Sequence, residues 1–401
     1  MLRKCLIIII LLSVLLLSCE RNKVKEPPQP EYEYASLVDE NGPLFPMNLG
    51  HKCGYIDGEG RIVIPPQYDA AGDFSEGLAV VEGGAYKDDV FQYHAGKWGY
   101  INKKGEIVIE LKYSIAKDFH DGLARVYEGE IDIDGILHGG RWLYLKTDRG
   151  IGIETDYDYI QDFHEGFARV NKGGKVWSYG YILGGNWGFI DTKGNVIVEP
   201  KFYWAEDFSD GFALVGEDSL RSRGGYIDKS GNYALTPGFN GYRSFSEGFA
   251  GIKFGFETNC KWGFMDAQGK IVIEPAFDDV KDFSEGLAPV NIGGVYKKPE
   301  GFTGGKWGFI DKSGNIVIEP QFRDVGGFSE GLAWFTVPTR GAKFGFIDRT
   351  GKIVIAPQWG IPKDFKNGLA KIILGRRTCY INKQGRFIWK PPPSTEEIVL
   401  E

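Results

Sequence analysis

Lys306-Trp307-Gly308-Phe309-Ile310-Asp311 opens a unit that recurs along this chain. Gly314–Pro320 (Gly-Asn-Ile-Val-Ile-Glu-Pro) and Phe328–Ala333 (Phe-Ser-Glu-Gly-Leu-Ala) complete it. The opening stretch returns, intact or altered, around Cys53, Trp98, Trp142, Trp187, Gly224, Trp262, Phe344 and Thr378. There are thus nine hairpin starts and eight Phe-x-x-Gly turns, spaced by 34 to 45 residues. Because such a period is the signature of a repeat architecture, we predict an array of small equivalent units.

Each unit has the pattern of a β-hairpin. Trp307–Asp311 and Ile316–Ile318 have strand composition, and the Gly-containing stretch between them is typical of a turn. Proline is expected to end the second strand, since it has no N–H for the ladder, at Pro200, Pro275, Pro320 and Pro357. Glycine fills one position of all eight Phe-x-x-Gly turns, which predicts a positive φ there. A Leu-Ala-x-Val strand then leads to the next hairpin.

These units must stack, because a hairpin plus one returning strand cannot bury both of its faces alone. We assign a structural core role to the tryptophans of the repeat, namely Trp98, Trp142, Trp187, Trp262 and Trp307. The predicted fold class is all-β, built of tandem antiparallel hairpin or meander units. The unit has the size of a propeller blade, which favours a β-propeller-like ring. Nine hairpins against eight turns fit an open, curved β array as well.

The Lys-Trp-Gly-Phe-Ile-Asp stretch with its Phe-Ser-Glu-Gly-Leu-Ala turn resembles the WG-repeat (KWG-repeat) family of bacterial proteins. The resemblance covers roughly Gly50 to Trp389. It implies an all-β repeat protein, often exported, propeller-like and mostly without an assigned activity. No catalytic residue comes with the family. The units at Trp142-Leu143 and Gly224-Gly225 depart from the pattern, so their stacking is expected to be less regular.

The N-terminus has the layout of a secretion signal. Arg3 and Lys4 precede an apolar run from Cys5 to Leu17, which is short for a membrane span. The string Leu-Leu-Ser-Cys that ends at Cys19 resembles the bacterial lipoprotein signal, and this resemblance makes Cys19 the lipidated first residue of the mature protein. A plain signal peptide or an N-terminal anchor helix is the alternative. Either interpretation predicts export, and the lipoprotein interpretation predicts a lipid-anchored place in the bacterial cell envelope.

Four segments follow from these patterns. We predict a signal peptide over residues 1–18, and a lipidated cysteine, flexible tether and lead-in over 19–49. A WG-repeat β domain of eight repeats plus a terminal hairpin is predicted over 50–390, and a C-terminal tail over 391–401. The tether is charged and proline-rich from Glu20 to about Glu33, and Pro391-Pro392-Pro393 marks the start of the tail.

Charge and cysteine content limit the partners. Without Arg3 and Lys4 the chain keeps 45 basic against 54 acidic side chains, a formal charge of −9, which argues against nucleic acid. The cysteines of the body, Cys53, Cys260 and Cys379, have no metal-ligand spacing, so neither a metal nor a cofactor is expected. A ring would bring the units of Cys53 and Cys379 together, although their side chains are expected on opposite faces, which disfavours a disulfide.

Several apparent chemical motifs are better explained by the repeat. Gly327–Gly331 matches a hydrolase nucleophile elbow but lacks the strand-turn-helix context. His120 and His164 occupy the serine position of the Phe-x-x-Gly turn. Glu130–Gly135 imitates the start of a calcium loop, yet its twelfth position is Arg141. Acidic residues recur in seven of the eight turns and are interpreted as solvated turn residues: Glu76, Asp121, Glu165, Asp210, Glu247, Glu285 and Glu330.

Insertions between the Leu-Ala-x-Val strand and the next Trp-Gly are the informative departures from the repeat. Insertions at one point of a repeat lie on one side of the array. Their aromatic residues form the candidate ligand or partner face: Tyr86, Phe91, Tyr93, Trp177, Tyr179, Tyr181, Tyr296 and Phe302. Long hairpins that merely cover a sheet edge are the structural alternative.

The sequence therefore predicts an exported, lipid-anchored repeat protein of the cell envelope that acts as a protein-protein binding or scaffold module. The alternative is a carbohydrate- or peptidoglycan-binding lipoprotein that stacks sugars on Trp177, Tyr179, Tyr181 and Tyr296. A propeller-type hydrolase ranks third, because no acid, base or nucleophile set stands out from the repeat, and we predict no enzyme activity. The expected partners are the membrane, through the lipid on Cys19, and an envelope protein or polysaccharide.

Overall fold

The computed structural model describes residues 32–35, 39, 41–87, 93–132, 134–218, 224–236, 238, 240–255, 260–297, 301–337, 343–375 and 377–392. The chain divides into the segment Met1–Glu33 and a compact unit, Tyr34–Glu401. The predicted signal peptide, Cys19 and most of the predicted tether lie outside the described residues. So does the tail from Pro393 onward. No helix that could cross a membrane is found within the described ranges.

The compact unit is all-β, with nine antiparallel blade sheets that follow one another along the chain. Sheet 1 contains β1 (Phe45–Leu49), β2 (Lys52–Ile56) and β3 (Ile62–Tyr68). Sheet 2 contains β4 (Ala70–Ser75), β5 (Leu78–Gly83), β8 (Lys97–Asn102) and β9 (Ile107–Tyr113), with the two-stranded ribbon β6 (Tyr86–Lys87) and β7 (Tyr93–His94) inserted between β5 and β8. Sheet 3 contains β10 (Ile115–Ala116), β11 (Leu123–Ile131), β12 (Leu137–Lys146) and β13 (Ile151–Glu154). Sheet 4 contains β14 (Tyr159–His164), β15 (Phe167–Val176), β16 (Ile182–Asp191) and β17 (Val196–Phe202).

The remaining five sheets have the same order of four strands. Sheet 5 contains β18 (Trp204–Ser209), β19 (Phe212–Gly216), β20 (Gly224–Ile227) and β21 (Tyr233–Leu235). Sheet 6 contains β22 (Gly241–Ser246), β23 (Phe249–Phe254), β24 (Lys261–Asp266) and β25 (Ile271–Phe277). Sheet 7 contains β26 (Asp279–Val280), β27 (Leu287–Lys297), β28 (Gly301–Asp311) and β29 (Ile316–Phe322). Sheet 8 contains β30 (Asp324–Val325), β31 (Leu332–Val337), β32 (Lys343–Asp348) and β33 (Ile353–Trp359). Sheet 9 contains β34 (Ile361–Lys366), β35 (Leu369–Leu374), β36 (Arg377–Asn382) and β37 (Phe387–Trp389).

The sheets are the blades of a nine-bladed β-propeller ring, so the ring expectation is confirmed and the open array is wrong. Sheet 9 meets sheet 1: the Tyr380 hydroxyl donates to the Pro46 carbonyl at 2.8 Å, and the Thr378 amide donates to Oδ1 of Asn48 at 2.9 Å. Cys53 and Cys379 do not form a disulfide with each other, so these contacts close the ring without one.

The order of strands within a blade differs from the predicted unit. In sheets 2 to 9 an additional strand precedes the Phe-x-x-Gly turn, and this turn joins the first strand of the blade to the second. The Leu-Ala-x-Val stretch is the second strand and the Trp-Gly stretch the third. Short polar sequences such as Asp324-Val325 concealed the first strand. The domain also begins earlier than residue 50, because β1 lies within the predicted lead-in.

The predicted role of proline is wrong. Pro320 lies inside β29, which continues to Phe322 through a register shift opposite Trp307 and Phe309. This bulge brings the fourth strand so close that a Cβ on Gly308 would lie 2.4 Å from the Ile318 carbonyl oxygen. The glycine of Trp-Gly is therefore required by the bulge. Where Leu143 or Cys379 replaces it, the fourth strand is short, with four and three residues respectively.

The positive φ of the Phe-x-x-Gly turn is confirmed. All eight turn glycines have φ between 79° and 87°, and the residue before each of them also has a positive φ, for example 51° at Glu76. Two consecutive left-handed residues define the turn type that matches the twist of a β-hairpin. The turn therefore connects the first two strands tightly and repeats the same geometry from blade to blade.

The hydrophobic core runs between adjacent blades. An aromatic residue on the third strand of one blade contacts the phenylalanine of the next blade's Phe-x-x-Gly turn, as Phe309 contacts Phe328 with ring centroids 4.9 Å apart. Of the five repeat tryptophans, Trp142 and Trp307 are buried. Trp98, Trp187 and Trp262 are half-buried and pack against the clusters between blades.

Candidate functional site: the paired hairpins of sheets 3 and 4

The insertions lengthen one type of hairpin, the one that joins the second strand of a blade to the third. In sheets 3, 4 and 7 these strands are nine to eleven residues long, whereas β31 and β32 of sheet 8 have six each. In sheet 2 the insertion forms the ribbon of β6 and β7 instead. Because they share one connection of the repeat, the long hairpins project from corresponding points of their blades.

The hairpins of sheets 3 and 4 contact each other at their tips. Ile136 and Trp177 form an antiparallel bridge, and the Ser178 amide donates to the Gly135 carbonyl at 2.6 Å. Val176 is buried in the cluster that Ile131 and other hairpin residues line. We call residues 127–141 and 173–185 the paired hairpins. Backbone bonding at the tip and a shared apolar contact make them a preorganised element.

Aromatic side chains are exposed at the tip of the paired hairpins. Tyr179 is 73% exposed and Tyr181 is 53% exposed, and their rings stack with centroids 6.4 Å apart and an interplanar angle of 23°. Trp177 contacts Tyr181 at 5.3 Å, and the Lys175 ammonium lies 5.3 Å from the centre of the Trp177 ring. This aromatic group combines a large apolar area with polar ends, which suits it for recognition of a ligand.

A polar cleft of about 630 Å³ lies between the two hairpins, and the segment 155–158 completes its lining. Buried Trp142 forms part of its wall. Arg141 and Lys175 supply positive charge, and Asp156 and Asp158 supply negative charge. Arg141 donates to Glu154 at 3.1 Å. The cleft therefore offers both charge signs to a polar ligand.

Two groups in or next to the cleft have shifted pKa values: Tyr157 lines it, and Asp132 contacts His138, which lines it. The Ile136 amide, and then the imidazole of His138 at 2.7 Å, hold the pKa of the Asp132 carboxyl below its ordinary value. Burial raises the pKa of Tyr157, and the charges of Glu199 and Asp156 add to the effect. Asp132 is therefore an anion at neutral pH, and Tyr157 a neutral phenol.

The other residues of the predicted ligand or partner face have no described contact with this site. Tyr86 is exposed on β6, in the ribbon inserted between two strands of sheet 2. Tyr93, Tyr296 and Phe302 lie on β7, β27 and β28, and their side chains are not described. Phe91 and the predicted lipidation residue Cys19 lie outside the described residues.

The turn carboxylates are not merely solvated, which corrects the sequence-based interpretation. Each accepts a hydrogen bond from the glycine amide of the next blade's turn, at 2.6 to 3.1 Å. The acceptors are Glu76, Asp121, Glu165, Asp210, Glu247, Glu285 and Glu330, in that order along the ring. We call this series the turn ring. These carboxylates therefore have a structural role, because each one links its blade to the next by a charge-assisted hydrogen bond.

The remaining motifs also have structural contacts. The Ser329 hydroxyl, at the apparent nucleophile elbow, donates to the Phe365 carbonyl at 2.7 Å. His120 and His164 stack at 5.8 Å on adjacent blades. Oδ1 of Asp132 accepts from the Asp134 and Ile136 amides within a tight turn. Across the described ranges, no three His, Cys, Asp or Glu residues cluster as metal ligands.

Sequence reasoning missed the residues that hold the site together. Ile136 and Ser178 join two insertions that are separate in sequence, and no pattern within either one signals this contact. Asp156, Tyr157 and Asp158 reach the cleft from the segment after β13. The departure at Trp142-Leu143, which accompanies the short β13, was the signal available in the sequence.

Comparisons with known proteins agree with the fold. No curated protein matches the chain. The crystal structure of the eukaryotic initiation factor has a TM-score of 0.51 at 13% identity, over 87% of this chain and 91% of that one, a likeness that concerns the fold alone. The β-propeller domain of the Trilobed protease from Pyrococcus furiosus has a TM-score of 0.39 at 8% identity, over 80% and 95%. The family model described as "WG containing repeat" matches eight times, over residues 54–82, 98–130, 144–175, 187–220, 225–255, 262–296, 307–337 and 344–375, and the chain therefore belongs to the WG-repeat family.

Proposed function

We propose that this chain is an exported, lipid-anchored protein of the bacterial cell envelope that binds a protein partner through the paired hairpins. The observation that carries the proposal is the exposed stack of Tyr179 and Tyr181 on an element whose backbone is already fixed. Exposed tyrosines on a preorganised support are typical anchors of protein interfaces, because they bury a large area at little cost in side-chain entropy.

Charge around the tip supports a protein surface as partner. Lys175 flanks the aromatic group, and Arg141, Asp156 and Asp158 line the adjoining cleft. Aromatic residues at the centre with a charged rim give affinity and orientation together. The rest of the ring serves as a rigid support, since its repeated residues are engaged in contacts between blades.

The test is loss of partner capture. A variant with Trp177→Ala, Tyr179→Ala and Tyr181→Ala is cross-linked in cells beside the unchanged full-length protein, and attached proteins are identified by mass spectrometry. We expect the specific partner to fall at least tenfold, because truncation of central aromatics removes most of the binding energy. Tyr203→Ala is the matched control, since Tyr203 is also 53% exposed but lies outside the paired hairpins. Equal capture by the triple variant and the control would refute the proposed interface.

Carbohydrate is the second candidate ligand, and the polar cleft favours it. Stacked aromatic rings beside charged hydrogen-bonding groups also suit the faces and hydroxyls of a sugar. Peptidoglycan fragments and envelope polysaccharide should then quench Trp177 fluorescence and bind almost equally at low and high salt, whereas binding to a charged protein rim should weaken with salt. A saturable, salt-tolerant fluorescence change that disappears in Trp177→Phe would transfer the proposal to sugar binding.

Export and the lipid anchor form a separate part of the proposal. They rest on the resemblance of residues 1–19 to a lipoprotein signal. Growth with a labelled fatty acid should label the full-length protein, and Cys19→Ser should abolish both the label and membrane association. Membrane association without label would instead indicate an uncleaved anchor helix.

A further inference from the structure

Within the part of the chain that the structure describes, sheet 1 has no strand equivalent to the first strand of the other eight blades. Among the described residues, β1 pairs only with β2, whereas the equivalent second strands are paired on both sides. A groove of about 310 Å³ lies at this place, lined by Leu44 and Phe45 of sheet 1, Phe74 of sheet 2, and Leu369 and Tyr380 of sheet 9. Among the described residues, the groove has the place that a first strand takes in the other blades.

The side chains at the groove leave room for a residue smaller than the phenylalanine that a first strand usually has. In other blades an alanine of the second strand lies opposite the phenylalanine of the first, as Ala79 lies opposite Phe74. Matching β1 and β2 to β5 and β8 puts Phe45 in the alanine position. Phe45 packs on Tyr380 with centroids 5.4 Å apart, which is the contact that a turn phenylalanine makes elsewhere. A first strand that enters here needs a small residue at its phenylalanine position.

Pro46 does not prevent strand addition. It has the position that Pro289 has in sheet 7, where a first strand is present. There the Lys281 amide donates to the Pro289 carbonyl at 2.9 Å, so this position supplies an acceptor and needs no donor. The Pro46 carbonyl already accepts from the Tyr380 hydroxyl at 2.8 Å, and its second lone pair remains for the amide of an added strand.

The repeat register identifies the occupant. Eight times, the fourth-strand residue paired with the third-strand aromatic is followed ten positions later by the turn phenylalanine, as Ile64 is by Phe74 and Ile318 by Phe328. In sheet 9, Trp389 pairs with Tyr380 and so has the position of Ile318. Ten positions after Trp389 lies Val399, which therefore has the position of the turn phenylalanine. Two positions further lies Glu401, which has the position of the turn acids Glu76 and Glu330.

The residues after Pro393 fit the groove in size and charge. Val399 would lie opposite Phe45, so the usual pair of a large residue on the first strand and a small one on the second is exchanged. The groove is lined by three lysines, Lys363, Lys366 and Lys371, and by two aspartates, Asp73 and Asp364, so positive charge is in small excess. The segment Ser394–Glu401 contains Glu396, Glu397 and Glu401. In the pattern of the turn ring, Glu401 would accept from the Gly77 amide.

We propose that Ser394–Glu401, which lies outside the described residues, is the first strand of sheet 1 and binds antiparallel to β1 in this groove. Sheet 1 is then built from both ends of the repeat domain: one strand from the C-terminal segment, and three from residues 45–68. The occupant is a segment of this chain, and the edge of β1 is its docking surface.

A cysteine pair in the full-length protein tests the register. Leu44 has the position of Leu78, which pairs with Ser75, and Leu400 has the position of Ser75. Leu44→Cys with Leu400→Cys should form an intramolecular disulfide on mild oxidation, identified as a joined peptide by mass spectrometry. Leu44→Cys with Val399→Cys is the control, because adjacent strand residues point to opposite faces. We expect at least tenfold faster bonding in the first variant.

Equal rates in the two variants, or bonding only between two chains, would overturn the proposal. A second measurement covers variants that fold poorly. Phe45→Ala and Val399→Phe should each lower the melting temperature, and the double variant should regain most of the loss, because it restores the usual pair of phenylalanine and alanine. Additive losses in the double variant would contradict contact between these two positions.

Discussion

The turn ring and the paired hairpins differ in how they arise from the repeat. In the turn ring, seven glycine amides contact seven carboxylates at nearly the same distance, and the residues that do this recur in register. The paired hairpins arise where two blades depart from the repeat and contact each other through Ile136 and Trp177. A contact that recurs around a ring holds the ring together, whereas a surface that occurs once can single out a partner. Substitutions should therefore separate stability from binding.

The largest loss of stability is expected at the Trp-Gly position. Gly308→Ala would place a Cβ 2.4 Å from the Ile318 carbonyl oxygen and 2.7 Å from the Pro320 nitrogen, so the fourth strand of sheet 7 must move. We expect a loss of about 3 kcal/mol or more in the free energy of unfolding, because backbone atoms cannot yield as a flexible side chain does. Denaturant unfolding followed by tryptophan fluorescence measures it.

Gly58→Ala is the matched control for this substitution. Gly58 lies in a turn of sheet 1, no heavy atom lies within 4 Å of its would-be Cβ, and its φ is not positive. Its effect should stay within about 0.5 kcal/mol. Similar losses in the two variants would show that the close approach at the bulge does not decide stability.

A smaller loss is expected when one link of the turn ring is removed. Oε2 of Glu285 accepts from the Gly331 amide at 2.9 Å in a partly buried place. Glu285→Leu keeps the side-chain bulk and leaves that amide without its acceptor, which should cost about 1 to 2 kcal/mol. Glu285→Gln keeps an uncharged acceptor and should cost less. Binding through the paired hairpins should persist in both variants, and its loss would mean that the two regions are coupled.

Much of the scaffold could be predicted because it repeats. The hairpins, the positive φ at Gly331 and its equivalents, and the propeller-like ring follow from patterns seen many times over in one sequence. The first strand of each blade was missed, since Asp324-Val325 and Asp279-Val280 are too short and polar to read as strands. Pro320 was misread, because a proline inside a bulge and one that ends a strand look alike in sequence.

The candidate site could be predicted only in part. Exposed aromatics in the insertions drew attention to Tyr179 and Tyr181, since nothing in the repeat requires them. The pairing of the two hairpins through Gly135 and Ser178 depends on how adjacent blades are inclined, which no local pattern encodes. The cleft has the same origin, because its walls come from two blades.

The smallest expected effect on stability is a gain rather than a loss. It concerns an aspartate between two blades whose equivalent in the next blade pairs with an arginine. Asp162 accepts from Arg125 of the preceding blade at 2.7 Å. Asp118 has the same position one blade earlier, but Val80 has the place of Arg125 in the preceding blade. No described residue donates to the buried Oδ1 of Asp118. Burial, and then the charge of Asp73, raise the pKa of Asp118.

Asp118→Asn should therefore stabilise the protein at neutral pH. A folded-state pKa above the unfolded value of about 3.9 means that the ionised carboxyl costs stability at higher pH and that this cost disappears as pH falls below the unfolded value. The uncharged amide avoids the cost, so we expect a gain of about 1 kcal/mol at pH 7 and almost none at pH 3. Unfolding curves at both pH values measure the difference. Asp162→Asn should have the opposite effect at pH 7, because it weakens the pairing with buried Arg125, and a loss in both variants would mean that Asp118 is paired in solution after all.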